Sequence, residues 1–131
     1  MKIAFIGGGN MASALIGGLL TSGTSSASSI TVVEPFEPQR LELERRFGVR
    51  TLALASNETL EPHEFETIVL AVKPQMKREV ATALREVARE RLVVSVAAGI
   101  RLRDLSRWLG GHQRIVRCMP NTPALIGAGI T

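Results

Sequence analysis

Residues 2–20 read KIAFIGGGNMASALIGGLL. The apolar run Ile3–Ile6 predicts a short strand, the glycines after it predict a tight turn, and the small and apolar residues from Asn10 onward predict a helix. Gly7, Gly9 and Ala12 match the pattern G-x-G-x-x-(G/A), in which the glycines allow a sharp turn and the close approach of a pyrophosphate. The stretch therefore predicts a dinucleotide-binding turn whose helix N-terminus presents free N–H groups to phosphates.

Composition and charge are those of an ordinary globular domain. The 131 residues suffice for one domain, and 45% of them are hydrophobic and 21% charged. The net charge of +4 comes from arginines interleaved with glutamates, and the chain has one Trp and no Tyr. Because such mixed faces are typical of solvated helices, we expect no nucleic-acid partner.

Cysteine usage and the apolar pattern limit the chemistry and the location. A single cysteine, Cys118, excludes an internal disulfide and favours a reducing cytoplasm. We find no metal-ligand spacing and no Ser-His-Asp arrangement, so no bound metal is expected. The glycines interrupt the first apolar stretch, and no charge-free run is long enough to span a membrane. We predict neither a targeting segment nor a membrane span.

Strand-like and helix-like segments alternate through the rest of the chain. Apolar runs predict strands at residues 29–34, 52–55, 67–72, 92–97 and 115–119. Helices are predicted between Pro38 and Gly48, over residues 76–87 and over residues 102–109. This order predicts an α/β fold with a doubly wound, mainly parallel sheet.

The predicted strand ends carry distinctive residues. They are the glycine turn, Glu34, Lys73-Pro74-Gln75, Ala98-Gly99 and Pro120-Asn121-Thr122-Pro123. Open α/β sheets bind ligands at the carboxyl ends of their strands, so we expect the binding site at this edge.

Four motifs together resemble the N-terminal domain of pyrroline-5-carboxylate reductase. They are FIGGGNMASALIGGL at 5–19, AVKP at 71–74, SVAAG at 95–99 and RCMPNTPALIGAG at 117–129. The resemblance implies an NAD(P)-binding Rossmann domain over residues 1–131 and the reduction of 1-pyrroline-5-carboxylate to L-proline, the last step of proline biosynthesis. Hydride transfer from the reduced nicotinamide to the cyclic imine then needs no protein nucleophile.

The resemblance also implies roles for individual residues. It implies that the pyrophosphate is held by Gly7, Gly8, Gly9, Asn10 and Met11, and that the adenosine side is contacted by Asn57. The ribose or nicotinamide side is then flanked by Ala71, Val72 and Lys73, with Pro74 fixing the turn, and the nicotinamide is approached by Ala97, Ala98 and Gly99. The pocket where cofactor and substrate meet is lined by Met119, Pro120 and Asn121.

Glu34 bears on the choice between NADP(H) and NAD(H). It ends the predicted second strand, 22 residues after Ala12, close to where an acidic residue hydrogen-bonds the adenosine ribose of NAD. A 2′-phosphate beside this carboxylate is repelled, whereas the family at large commonly prefers NADPH. Our hypothesis is that the protein uses both cofactors, with NADH penalised less than is usual.

The family carries a second, helical domain that forms the oligomer and completes the substrate site, and this chain ends before that domain. We expect a homo-oligomer when the second domain is present, and a fragment that alone catalyses little. Two alternatives stay open. One is the cofactor domain of a related dehydrogenase, such as a deazaflavin-dependent NADP reductase or a hydroxyacid dehydrogenase, and the other is a non-catalytic nucleotide-binding module.

Overall fold

The structure is a computed structural model that describes residues 2–53, 65–89, 91–96, 102–111 and 114–118. The strands are β1 (Ile3–Ile6), β2 (Ile30–Val33), β3 (Arg50–Leu52), β4 (Thr67–Leu70), β5 (Leu92–Val96) and β6 (Ile115–Cys118). The helices are α1 (Asn10–Ser22), α2 (Glu37–Phe47), α3 (Pro74–Ala83), α4 (Arg85–Ala88) and α5 (Leu102–Trp108), with a single 3₁₀ turn at Ala27–Ser29.

The six strands in the described part of the chain form one parallel sheet in the order β3-β2-β1-β4-β5-β6. Ile3 is in register with Ile30 on one side and with Thr67 on the other. The chain thus builds outward from β1 in one direction, then returns to its other side and builds outward again. This confirms the predicted doubly wound sheet and places the topological switch point, where such folds bind ligands, between β1 and β4.

Both faces of the central strands are buried, which explains their continuous apolar runs. Ala4 and Ile6 point into a cluster built with α3, α4 and α5, in which Leu84 and Leu105 are almost fully buried. Ile3 and Phe5 point to the opposite face, which is covered by α1 and α2. The buried helix residues there are Ala12, Leu15, Ile16 and Leu43. The carboxyl end of β1 is therefore held rigidly between two layers of helix.

The ends of α2 were predicted correctly from one proline and one glycine. Pro38 lies in its first turn, and Gly48, with φ of 73°, ends it in the left-handed conformation that favours glycine. The prediction of a third strand at 52–55 was wrong in position, because β3 covers Arg50–Leu52. Val49 is buried directly after the glycine cap, so the chain enters the sheet at once, and residues 54–55 lie outside the described part of the chain.

Two other predicted boundaries also need correction. A single helix over residues 76–87 was predicted, but Leu84 separates α3 from α4 with φ of −105° and ψ of 12°. Its N–H donates to the carbonyl oxygens of both Val80 and Ala81 at 3.1 Å, which tightens the end of α3. The strand predicted at 67–72 ends at Leu70, although the N–H of Ala71 still donates to the carbonyl oxygen of Ile6 in β1 at 2.8 Å. Residues 97 and 119 lie outside the described part.

Candidate dinucleotide-binding site

The first glycine of the turn closes β1 tightly against its neighbours. Gly7 has φ of 104° and donates its N–H to the carbonyl oxygen of Val33 at 2.8 Å. A Cβ atom at Gly7 would lie 2.8 Å from the carbonyl oxygen of Ala71. Only glycine fits this combination of positive φ and close approach, so the residue joins the ends of β1, β2 and β4.

The next two glycines face different surroundings. A Cβ atom at Gly8 would lie 2.7 Å from Cδ1 of Leu43 and 3.2 Å from Cβ of Glu34, so Gly8 packs against α2 and the end of β2. A Cβ atom at Gly9 would meet nothing within 4 Å. The space beside Gly9 is therefore open, as the approach of a pyrophosphate requires.

Helix α1 begins at this open space without a side-chain cap. Gly9 is its N-cap, no side chain bonds to the cap, and the first turn contains no acidic residue. The exposed Asn10 and Met11 are the first residues of the helix. Uncapped N–H groups and the positive end of the helix dipole make this end a suitable place for an anion.

Glu34 is tied to the turn by both carboxylate oxygens. Its Oε1 accepts the N–H of Gly8 at 3.0 Å, and its Oε2 accepts the N–H of Phe36 at 2.9 Å. Arg40 reaches back from α2, and its Nη1 donates to the carbonyl oxygens of Glu34 and Pro35, each at 2.9 Å. The Glu34 carboxylate and the Arg40 guanidinium thus both bond to the backbone at the same strand end.

A cleft of about 500 Å³ opens at this edge of the sheet, between the glycine turn, the ends of β2 and β4, and α3. Its lining residues are Ile6, Gly7, Gly8, Gly9, Val33, Glu34, Pro35, Ala53, Ala71, Val72, Lys73, Met76, Glu79, Val80 and Ala83. The structure therefore brings together the glycine turn, Glu34 and the Ala71–Lys73 segment, all singled out from the sequence. Pro74 begins α3, and the exposed Lys73 is its N-cap.

Helix α3 contributes lining residues that sequence reasoning did not assign to the site. Met76, Glu79, Val80 and Ala83 line the cleft at helical spacing, whereas the sequence had predicted only a helix over this segment. Their position directly after Lys73 and Pro74, at a strand end, was the available signal. Several predicted site residues lie outside the described part of the chain, namely Asn57, Ala97, Ala98, Gly99, Met119, Pro120 and Asn121.

The described part of the chain shows neither a metal cluster nor a membrane-spanning helix. Among the residues described, no three or more His, Cys, Asp or Glu side chains come together as a metal would require. No helix in this part of the chain has the length and apolar character needed to cross a membrane.

The chain matches a known protein family over most of its length. The family described as NADP oxidoreductase coenzyme F420-dependent matches residues 2–99. The chain belongs to this family. Pyrroline-5-carboxylate reductase from Vibrio alginolyticus is 42% identical over 131 residues, which cover 99% of this chain and 47% of that protein. The reductase from Escherichia coli is 39% identical, over 99% of this chain and 48% of that protein.

Solved structures give the same relationship. A pyrroline-5-carboxylate reductase from Coxiella burnetii matches with a TM-score of 0.82 and 35% identity, over 95% of this chain and 46% of that one. The Plasmodium falciparum pyrroline carboxylate reductase, solved with NADP bound, matches with a TM-score of 0.78 and 28% identity, over 97% and 45%. The resemblance predicted from the four motifs is confirmed, and the chain spans about half the length of the relatives that it matches.

Proposed function

We propose that the chain is the cofactor-binding domain of an NAD(P)H-dependent pyrroline-5-carboxylate reductase, which reduces 1-pyrroline-5-carboxylate to L-proline in the last step of proline biosynthesis. One observation carries this proposal. The family match ends at residue 99, whereas the similarity to named reductases continues to cover 99% of the chain, at 42% identity for the Vibrio alginolyticus protein. The similarity thus includes the segment with the MPNTP motif.

The described geometry supports a dinucleotide in the cleft. The pyrophosphate would lie at Gly9, Asn10 and Met11, where the uncapped start of α1 is exposed and a Cβ at Gly9 would meet nothing within 4 Å. Gly7 and Gly8 pack against α2 and the ends of β2 and β4 and so set the conformation of this turn. A reduced nicotinamide supplies a hydride when the cofactor is bound. The protein's part is to hold the dinucleotide extended along the strand ends and to exclude water.

The remaining cofactor contacts follow the order of the strands. Ala71, Val72 and Lys73 line the same cleft, with Pro74 starting the helix behind them, and we place the ribose or nicotinamide side there. Ala97, Ala98 and Gly99 would approach the nicotinamide, and Asn57 the adenosine. Met119, Pro120 and Asn121 would line the pocket where cofactor and substrate meet.

Glu34 and Arg40 support the use of both NADH and NADPH. Each carboxylate oxygen of Glu34 accepts one backbone N–H, and a carboxylate has about four lone-pair sites, so each oxygen can also accept a ribose hydroxyl. Nη1 of Arg40 bonds the backbone of the same turn, which brings a positive charge toward the place where a 2′-phosphate would lie. We therefore propose that NADH is penalised less than is usual for the family.

The second half of the relatives supplies the rest of the enzyme in this proposal. The chain covers 47% of the Vibrio alginolyticus protein, and we infer that a helical domain in the other part contacts the substrate carboxylate and forms a homo-oligomer. We also propose that the enzyme is cytoplasmic and has no nucleic-acid partner, because its surface charges are mixed. Exposed arginines pair with neighbouring acids along the helices, as Arg45 does with Glu42 and Arg107 with Asp104.

A second candidate is favoured by the family description, which names coenzyme F420 together with NADP. In that reaction the same cleft would hold the nicotinamide dinucleotide, and a deazaflavin would take the place of the imine. The two candidates therefore share a cofactor site and differ in the second substrate.

Turnover with each second substrate distinguishes the candidates. We expect residues 1–131, joined to the remaining half that the relatives carry, to oxidise NADH or NADPH when 1-pyrroline-5-carboxylate is added, with L-proline as the product. Oxidation that depends on coenzyme F420 and ignores the imine would favour the second candidate. Binding of NADH or NADPH with no turnover of either second substrate would favour a nucleotide-binding module instead.

A further inference from the structure

The middle of the glycine turn is held by side chains on two sides. The N–H of Gly8 donates to Oε1 of Glu34 at 3.0 Å, and the carbonyl oxygen of Gly8 accepts a hydrogen bond from Nε2 of Gln39 at 2.5 Å. Gln39 lies in the first turn of α2 and is half-buried. A helix more than 30 residues further along the chain therefore bonds directly to the turn.

The bond from Gln39 sets the direction of the next N–H. The carbonyl group of Gly8 and the N–H of Gly9 belong to one peptide unit, which is planar and trans, so the two groups point in opposite directions. When the Gly8 oxygen faces Gln39 on α2, the Gly9 N–H faces away from α2. Gly9 is the exposed N-cap of α1, where the proposed function places the pyrophosphate.

The packing around Gly8 restricts the orientation of the backbone at this residue. Gly8 is buried, and Cδ1 of Leu43 lies 2.7 Å from the position that a Cβ atom would occupy. A glycine lacks the steric restriction that would otherwise limit its conformations. The Glu34 bond holds the peptide unit before Gly8 and the Gln39 bond holds the unit after it, while Leu43 packs against the residue between them. α2 thus contributes two contacts to the turn, one polar and one apolar.

We propose that Gln39 is a positioning residue, whose amide aims the Gly9 N–H at the cofactor pyrophosphate. The inference rests on the proposed function, because it assumes a dinucleotide at this turn. It also makes a specific claim about selectivity. NADH and NADPH share the same pyrophosphate, so loss of the Gln39 bond weakens both cofactors by the same factor.

The residue type matters because a carbonyl oxygen only accepts hydrogen bonds, so the atom facing it must be a donor. Gln39→Met keeps the length of the side chain and removes the donor without adding charge. Gln39→Glu keeps the shape and places a carboxylate oxygen against the Gly8 oxygen. We expect Gln39→Met to weaken the binding of both dinucleotides about three- to tenfold, as the loss of one hydrogen bond predicts, and Gln39→Glu to weaken them at least as much.

The test is isothermal titration of the full-length protein with NADH and with NADPH, alongside melting temperatures. Glu42→Gln is the matched control, because it exchanges an acid for an amide on the same helix, at a side chain whose partner is Arg45. Steady-state kinetics add a second readout. Gln39→Met is expected to raise the KM for the cofactor while kcat at saturating cofactor stays close to that of the parent.

Each outcome has a distinct meaning. Equal weakening of both cofactors in folded Gln39→Met, with Glu42→Gln like the parent, supports the positioning role. Unchanged affinity in Gln39→Met with a lower melting temperature overturns it and leaves Gln39 as a stabilising contact. A change confined to one cofactor also overturns it. If the parent binds neither dinucleotide, the proposed function itself fails, and this inference fails with it.

Discussion

The carbonyl oxygen of Ala71 lies 2.8 Å from the position that a Cβ atom on Gly7 would occupy. This approach joins the turn after β1 to the residue that follows β4, at the switch point of the sheet. Gly9, two residues further on, has open space instead. Two glycines of one motif therefore serve different purposes, since the first allows the chain to fold here and the third leaves room for a ligand.

Replacing Gly7 with alanine should destabilise the fold. The residue has φ of 104° and a backbone neighbour that cannot rotate away, and strain of this kind amounts to about 1–3 kcal/mol before any clash is counted. Urea denaturation of Gly7→Ala should show a lower midpoint than the parent. A midpoint equal to that of the parent would mean that the turn relaxes freely.

Replacing Gly9 with valine should abolish cofactor binding and leave the stability of the fold largely unchanged. Its φ of −79° is accessible to any residue, and nothing lies within 4 Å of the added Cβ, so the fold should remain largely intact. The new side chain would occupy the space of the pyrophosphate, and binding of NADH and NADPH should be abolished in isothermal titration. Unchanged affinity in Gly9→Val would remove the dinucleotide assignment of this turn.

Leu43 should be the most sensitive position of α2. It is 1% exposed, and its Cδ1 fills the space in front of Gly8. We expect Leu43→Ala to reduce the free energy of unfolding by about 2–5 kcal/mol, the range for buried leucines. Leu41→Ala is the matched control because Leu41 lies on the same helix and is 57% exposed. Equal losses in the two variants would contradict the packing described here.

The sequence predicted those features that depend on local chemistry. Gly48 ends α2 because glycine adopts positive φ easily, and this signal needs no knowledge of the rest of the fold. The apolar runs likewise predicted the sheet, since strands buried on both faces lack alternation. The position of β3 was missed because the strand begins with Arg50 and Thr51, which pair with β2 although they are not apolar, whereas the apolar run used for the prediction begins only at Leu52.

Contacts between distant residues could not be predicted in the same way. The bond from Gln39 to Gly8 and the reach of Arg40 back to Glu34 depend on how α2 lies against the turn. Nothing in the sequence analysis singled out Gln39, because its role depends on this packing and not on a local pattern. The roles of Asn57, of Ala97, Ala98 and Gly99, and of Met119, Pro120 and Asn121 stay predictions.

Catalysis should require more than these 131 residues. The chain covers 47% of the Vibrio alginolyticus reductase, so one wall of the substrate site is expected from the remaining half. Residues 1–131 alone should show little oxidation of NAD(P)H with 1-pyrroline-5-carboxylate, whereas the same residues joined to the remaining half should turn over. Both proteins are assayed at equal concentration. Robust turnover by the shorter chain would show that the substrate site lies within it.

Glu34 should determine the balance between the two cofactors. Its carboxylate is fixed at the strand end by the N–H groups of Gly8 and Phe36, so it cannot swing away from a 2′-phosphate without losing both bonds. A phosphate carries roughly −1.5 to −2 charge. Two unit charges about 4 Å apart repel by about 4 kcal/mol at an effective dielectric of 20, and by less where solvent reaches them.

Glu34→Ser should therefore shift the affinity ratio toward NADPH by about tenfold or more, which corresponds to at least ~1.4 kcal/mol. The ratio is the quantity to measure, because loss of the bond to Gly8 weakens both cofactors together and cancels from it. Isothermal titration with NADPH and NADH gives the ratio directly, and Gln39→Met serves as the control in which it should not change. Arg40→Met should shift the ratio the other way, toward NADH, if its guanidinium assists the phosphate. A ratio that stays the same in Glu34→Ser would mean that this carboxylate only supports the turn and does not select between NADH and NADPH.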